Sequence, residues 1–122
     1  MAALGIGGFF FRARDPTALA DWYRTHLGVG GADFAPWRQE AGPTVFQPFA
    51  EDDSYFAADR RWMLNFRVAD LEAETARLAA ADIAVTRKAE WDMPGVGRFA
   101  RLHDPEGNPI ELWEASAGTP AS

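Results

Sequence analysis

The alternation of apolar and polar positions predicts two amphipathic helices. In the first, four apolar residues recur at helical spacing along one face: Leu19, Trp22, Tyr23 and Leu27. Asp15 is a suitable N-cap, Pro16 suits the first helical position, and Gly28 suits the end, where a positive φ is common. A second, alanine-rich helix follows Asp70 and includes residues 73–81. Each helix has one apolar face, so each is expected to pack on a sheet.

Extended segments account for most of the remaining chain. The strand candidates are residues 1–11, 34–40 and 44–49 in the first half, the apolar segment that ends near Phe66, and residues 83–90, 97–103 and 109–114 in the second half. Pro48 has no N–H to donate to a ladder, so the third strand must end there or lie at an edge. Residues 104–108 form a tight-turn signal that predicts a hairpin between the last two strands.

The two halves are weakly similar to each other. Residues 11–15 (FRARD) align with residues 66–70 (FRVAD), 55 positions later, and in both copies an apolar strand ends in an aspartate that precedes a helix. A repeat of this period typically marks a duplicated supersecondary unit. We predict a single domain of two strand–helix–strands modules, at about residues 5–50 and 61–115. A linker at about 51–60 joins them, and residues 116–122 form a tail.

Composition and charge narrow the class of protein. The chain has 122 residues, of which 48% are hydrophobic and 25% charged, as expected of one globular domain. It has no cysteine, which excludes disulfides and thiolate metal sites and fits a reducing compartment, so we expect a cytoplasmic protein. The net charge is −6 without a block of basic residues, so nucleic acid is not an expected partner. The apolar start is too short to span a membrane and lacks the basic segment of a signal peptide.

Two motifs resemble a known superfamily. Residues 11–15, the helix with Trp22 and Tyr23, and its closing Leu27 and Gly28 resemble the first module of the glyoxalase/bleomycin-resistance/dioxygenase (vicinal oxygen chelate) superfamily. Residues 103–113 (HDPEGNPIELW) resemble its last hairpin. The resemblance covers about residues 5–114. It implies an α+β fold in which two βαβββ modules form an open, curved, barrel-like sheet with a cleft, usually in a homodimer. Members include metal-dependent lyases and isomerases, dioxygenases, and proteins that bind drugs without chemistry.

The resemblance also implies four positions for the ligands of a divalent metal. They fall on Gly8, on or near Gln47, on Met63 and on Glu111. Glycine has no side chain and a thioether is a poor ligand for a hard divalent ion, whereas a stable site needs at least three protein ligands. We therefore expect no metal and no other cofactor; if a divalent metal is bound, Gln47 and Glu111 are its expected ligands.

Strand alternation from these positions predicts the lining of the cleft. The candidate substrate-binding residues are Phe10, Arg12, Gln47, Phe49, Met63, Asn65, Arg67 and Trp113. By the resemblance, Arg12 corresponds to an arginine that contacts the anionic thiol substrate of glutathione-using glyoxalases, and Arg67 is its counterpart in the second module. Both arginines could instead pair with structural acids such as Asp15 and Asp70. We expect Arg12, Arg67 and Glu111 to share one cleft.

Glu111 is the candidate catalytic residue. A carboxylate among apolar side chains could act as a base or an acid. The alternative is a salt bridge between Glu111 and Arg12, Arg67 or Arg101, because buried carboxylates are normally paired. His103, just before the turn, could act as a general base, but a histidine in such a position more often caps or packs against the turn.

Three classes of function are compatible with this sequence. The favoured hypothesis is a metal-free, glyoxalase-like protein that binds a small, anionic and partly aromatic molecule between aromatic walls. The alternative is a lyase, an isomerase or a dioxygenase-like enzyme of the same superfamily that uses Glu111 as base or metal ligand. The third is a structural or regulatory dimer module, which a cleft filled by its own side chains would support.

Overall fold

The computed structural model describes residues 2–31 and 35–117. Its elements in chain order are α1 (Pro16–Leu27), β1 (Leu64–Arg67), α2 (Leu71–Ala80), a short 3-10 turn (Ala89–Trp91), β2 (Gly97–His103) and β3 (Pro109–Ala115). The three strands form an open sheet in the order β1-β3-β2. The central strand, β3, is parallel to β1 and antiparallel to β2. No helix in the described ranges is long and apolar enough to cross a bilayer.

Both predicted helices are confirmed, together with their capping residues. The Asp15 carboxylate accepts a hydrogen bond from the Ala18 N–H at 3.1 Å, and Asp70 caps α2 in the same way. Gly28 ends α1 with a φ of 64°, a conformation that glycine adopts at little cost. Local chemistry therefore fixes where each helix begins and where α1 ends.

The predicted hairpin is also confirmed, and Asp104 holds its turn. This buried carboxylate accepts hydrogen bonds from the Glu106 N–H at 2.9 Å, from the Asn108 N–H at 3.0 Å and from the Asn108 side chain at 2.7 Å. It also accepts one from the Tyr23 hydroxyl at 2.7 Å, which connects α1 to the turn. Burial, followed by the bond to Asp104, raises the pKa of Tyr23 well above its ordinary value. The β2–β3 turn is thus tied to the first helix.

The register of the sheet separates an apolar face from a mixed face. The apolar face forms the core with residues of both helices: Leu19, Tyr23, Leu71, Leu78, Ala100, Leu102, Ile110 and Leu112. The opposite side is here called the open face. By the strand register it carries neighbouring residues of all three strands: Asn65, Arg67, Phe99, Arg101, Glu111 and Trp113. Any ligand chemistry of the sheet therefore lies on the open face.

The first half of the chain differs from the prediction. No strand forms within residues 2–14 or 35–50, although strands were expected at 1–11, 34–40 and 44–49 (residues 1 and 34 lie outside the described part). Among described residues, 2–14 and 35–49 make no backbone-to-backbone hydrogen bond. The alternating pattern is present, but glycines in the first segment and prolines in the later ones weaken strand pairing, and a strand also needs a partner.

A similar difference occurs at residues 83–90, which were expected to form a full strand. Only Thr86 pairs, as an isolated bridge with Arg101, and the 3-10 turn begins at Ala89. The segment 83–90 therefore pairs with β2 at one position, and β2 remains an edge strand of the sheet.

Candidate functional site

Glu111 lies at the centre of the open face, with both carboxylate oxygens engaged. Its side chain is 7% exposed. One oxygen accepts a hydrogen bond from the Asn65 amide at 2.8 Å, across the β1–β3 pairing, and the other accepts from the Tyr55 hydroxyl. Tyr55 belongs to the linker between the two halves, so the linker is anchored onto the sheet.

Arg101 lies opposite Glu111 on β2 and is 9% exposed. Its Nη2 donates a hydrogen bond to the Tyr55 carbonyl oxygen at 3.2 Å. The guanidinium carbon also lies 4.8 Å from the centroid of the Tyr55 ring and 5.4 Å from that of Trp91. At such distances a cation is attracted to the ring faces. Arg101 is therefore held against two aromatic rings at one side of the open face.

The Tyr55 phenol holds its proton strongly. Burial, then the hydrogen bond to Glu111 and the negative charge of that carboxylate, raise the pKa of Tyr55 to about 12, while nearby Arg101 acts in the opposite direction. At neutral pH the phenol therefore keeps its proton and donates a hydrogen bond to Glu111.

This pKa predicts a pH dependence of stability. Unfolded tyrosine ionises near pH 10, below the native value of about 12. The native state then binds the phenol proton more tightly, so its contribution to stability is full below about pH 10 and is lost as pH rises towards 12. Denaturant unfolding across this range should show wild type losing its advantage over Tyr55→Phe. Parallel curves for the two proteins would show that the phenol proton is not held in this way.

Stacked aromatic rings line the other end of the open face. The rings of Phe99 and Trp113 lie 6.1 Å apart and are inclined by only 5°. The Trp113 indole N–H donates to the Val96 carbonyl oxygen at 2.9 Å, so this buried ring is fixed in orientation. The pair provides a flat apolar surface beside the charged groups of Arg101 and Glu111.

Residues from the first half of the chain lie around the periphery of the open face. Arg67 donates to the Glu40 carbonyl oxygen at 2.8 Å, which holds that segment near β1. The Phe49 ring lies 5.9 Å from the Tyr55 ring and remains 45% exposed. A shallow pocket of about 340 Å³ is lined there by Phe49, Asp53, Ser54 and Tyr55. This is an accessible apolar surface adjacent to the Tyr55–Arg101 contact.

The structure brings some predicted site residues together and leaves others apart. The strand register puts Asn65, Arg67, Glu111 and Trp113 on the open face. Arg12 is exposed and makes no hydrogen bond or ion pair with the rest of the described chain. Phe10 is 87% exposed, and the exposed Gln47 amide donates only to the Pro48 carbonyl oxygen. Met63 is half-buried just before β1. Arg67 therefore lies on the same face as Glu111, whereas no hydrogen bond or ion pair in the described residues connects Arg12 with either of them.

The side chains at the superfamily's metal positions do not fit a divalent ion. Gly8 offers no ligand atom, and Gln47 points its amide at its own chain. Glu111 already accepts hydrogen bonds on both oxygens. Nowhere in residues 2–31 and 35–117 do three or more histidine, cysteine or acidic side chains cluster as a metal would require. Gln47 and Glu111 therefore take part in hydrogen bonds within the chain rather than forming a set of metal ligands.

Comparison with known proteins identifies the family. A family model described as "Glyoxalase-like domain" matches residues 8–113, most of the chain. The chain belongs to the glyoxalase-like domain family. It has the mixed α+β content and open sheet of that fold, with two helices. The arrangement as two complete βαβββ modules is not confirmed, because the described residues of the first half form no strand.

A solved structure supports the same fold for this glyoxalase-like domain. It is similar to the crystal structure of TnmS3, an antibiotic binding protein from Streptomyces sp. CB03234, with a TM-score of 0.61 and 24% sequence identity. The similarity covers 95% of this chain and 99% of that chain. No relative was found among the curated proteins.

Sequence reasoning missed two members of the site of this glyoxalase-like domain and left a third undecided. Tyr55 was missed because nothing in an acidic, turn-rich linker indicates which residue contacts the sheet. Arg101 was considered only as a partner of Glu111. It could have been found by counting across the 104–108 turn, since the hairpin register places it opposite Glu111. The sequence alone is compatible with Trp91 in the core, in a cleft wall or on a dimer surface, and the structure places it beside Arg101.

Proposed function

We propose that this glyoxalase-like domain binds a small, flat, anionic molecule on its open face. The observation that carries the proposal is the presence on one sheet face of two guanidinium groups, Arg67 and Arg101, beside the stacked rings of Phe99 and Trp113. Among the described strand residues of this face Glu111 is the single carboxylate, so the charged strand residues carry a surplus positive charge. That surplus favours an anion, and the rings favour a flat apolar body attached to it.

Family membership and fold are consistent with the binding of a small molecule. TnmS3 is an antibiotic binding protein with the same fold, and a fold of this kind serves both binding and catalysis. In this chain Glu111 is buried and each of its oxygens already accepts one hydrogen bond, from Tyr55 or Asn65, so these contacts would have to change before it could take a substrate proton. A lyase or isomerase that uses Glu111 is therefore the second candidate. We place the protein in the cytoplasm, in keeping with its lack of cysteine.

Calorimetric titration with naphthoate, naphthamide and acetate tests this function. Naphthoate, a flat ring with a carboxylate, should bind more tightly than neutral naphthamide and than acetate, which lacks the ring. Phe99→Ala should weaken naphthoate binding because it removes one ring of the stack. Phe46→Ala, at an exposed phenylalanine of the first half, is the matched control and should not. Equal and negligible binding of all three probes would refute the proposal.

A second prediction concerns metal content. We expect the purified protein to carry no stoichiometric Zn, Ni, Mn or Fe, because Gly8 and Met63 occupy two of the superfamily's metal positions and cannot supply the ligands that these ions prefer. Elemental analysis of the protein, before any chelator treatment, provides the measurement. One tightly bound equivalent that is lost in Glu111→Ala would contradict a metal-free site.

A third prediction is that the protein is a homodimer. Large apolar side chains in the first half are exposed in the single chain, among them Leu4, Phe10, Val45 and Phe46. Unpaired extended segments and exposed apolar groups are typical of surfaces that a second subunit covers. Sedimentation at micromolar concentration should give twice the mass of the 13.4 kDa chain. A monomeric mass under those conditions would show that these segments are not covered by a second copy.

A further inference from the structure

The charge of Arg101 has no carboxylate partner in the described part of the chain. No acidic side chain in residues 2–31 and 35–117 lies within 4.0 Å of its nitrogens. Glu111, directly across the strand pair, is instead bonded to Asn65 and Tyr55. A cation that is nine-tenths buried without a counterion is costly, and two ring faces offset that cost only in part.

Other arginines in the protein show the usual solution. Arg98, three residues earlier on the same strand, donates to both oxygens of Glu114 at 3.0 and 3.1 Å. Arg87 pairs with Glu72 at 2.9 Å. Arg98 and Arg87 therefore each have a carboxylate partner, whereas Arg101 has none in the described part of the chain.

One edge of the Arg101 guanidinium is only half satisfied. Nε and Nη2 point their N–H bonds in parallel from that edge, and a carboxylate can accept both. Nη2 donates to the Tyr55 carbonyl oxygen at 3.2 Å, whereas Nε is buried and has no hydrogen-bond partner. A buried donor without an acceptor is destabilising by itself. This edge of the guanidinium can bind two oxygens, and it contacts one, the Tyr55 carbonyl oxygen.

We infer that Arg101 binds the carboxylate of the ligand, with the Tyr55 carbonyl in its place when the site is empty. This inference rests on the proposed function and assigns its anionic group to Arg101 rather than to Arg12 or Arg67. The ligand is an aromatic carboxylic acid. Its carboxylate accepts from Nε and Nη2, and its ring lies along the open face against the stacked rings of Phe99 and Trp113.

Access to Arg101 requires the linker around Tyr55 to move. Tyr55 covers the guanidinium with its ring and its carbonyl, and its hydroxyl bond to Glu111 anchors it there. The shallow pocket lined by Phe49, Asp53, Ser54 and Tyr55 opens beside this cover. The carboxylate reaches Arg101 when the Tyr55 segment lifts from the sheet, so Tyr55→Phe, which lacks the anchor, should bind the ligand at least as tightly as wild type.

Calorimetric titration of Arg101→Gln with naphthoate and naphthamide tests the inference. Affinity for naphthoate should fall by about ten- to a hundred-fold, the scale of a charged hydrogen bond, while affinity for naphthamide stays unchanged. Arg101→Lys should recover part of the loss because it keeps the charge without the fork. Arg77→Gln, which removes one positive charge from α2 behind the apolar face of the sheet, is the control and should leave both affinities unchanged.

Thermal unfolding of the same variants separates a ligand-binding arginine from a structural one. Arg101→Gln removes an unpaired buried charge, so its unfolding midpoint should equal or exceed that of wild type. A lower midpoint with equal losses for both probes would overturn the inference in favour of a structural role. Naphthoate binding that survives Arg101→Gln but is lost in Arg67→Gln would overturn it and leave the proposed function standing. Failure of wild type to bind either probe would refute the proposed function itself.

Discussion

Replacement of Asp104 by alanine should lower the free energy of unfolding by about 3–5 kcal/mol, among the largest effects of any single substitution. This buried carboxylate accepts four hydrogen bonds, from the Tyr23 hydroxyl, the Glu106 N–H and both the N–H and side chain of Asn108. Without it those donors are left buried and unpaired. The loss includes the link between α1 and the hairpin, so the two parts should separate more readily.

Urea unfolding followed by circular dichroism provides the measurement. Asp53→Ala is the matched control, because Asp53 accepts one exposed hydrogen bond, from the Tyr55 N–H at 2.7 Å, and its loss should cost about 1 kcal/mol or less. Asp104→Asn should lie between the two, since it keeps the shape but loses the charge. A cost for Asp104→Ala no greater than that of the control would show that the turn is held by something other than this carboxylate.

Gly97→Ala should cost about 3–5 kcal/mol, because it combines backbone strain with a collision. Gly97 has a φ of +146°, and a Cβ there would lie 2.2 Å from the Glu114 carbonyl oxygen and 2.5 Å from the Trp113 indole nitrogen. Either β2 and β3 separate at this end or the Trp113 ring moves. The bond from Trp113 to the Val96 carbonyl should then break, with a change in tryptophan fluorescence.

Gly95, in the turn just before β2, serves as the control for this prediction. Gly95 has a φ of +78°, but a Cβ there meets no atom within 4 Å. Gly95→Ala carries the strain without the collision and should cost about 1 kcal/mol. Equal destabilisation by the two substitutions would mean that the close approach of Glu114 to Gly97 does not matter for stability.

The elements that could be predicted from the sequence are those with local signals. Both helices have an aspartate cap, and the hairpin has a turn in which Asp104 satisfies the backbone, so residues close in sequence determine these structures. Strands in the first half were predicted from alternation alone. Alternation indicates which face of a strand is apolar, but the strand itself depends on hydrogen bonds to a partner that sequence reasoning has to assume.

The same distinction applies to the candidate site. Alternation along β1 and β3 puts Asn65 with Arg67 and Glu111 with Trp113, and the strand register brings the two pairs together on one face. The contact of Tyr55 with Glu111 spans 56 positions and depends on the course of an irregular linker. No periodic pattern describes such a linker. Which residues of a linker cover a sheet face is therefore seen only in the three-dimensional structure.

The order of strands in the sheet has a consequence for synthesis of the protein. β3 lies between β1 and β2 in space but follows both in the chain. As the nascent chain leaves the ribosome, β1 and β2 have no bridge between them until residues 109–115 emerge. During that interval the apolar sides of α2 and β2 lack β3, the strand that completes their core. A nascent chain in which β2 has emerged and β3 has not should thus be bound by chaperones more readily than a shorter one.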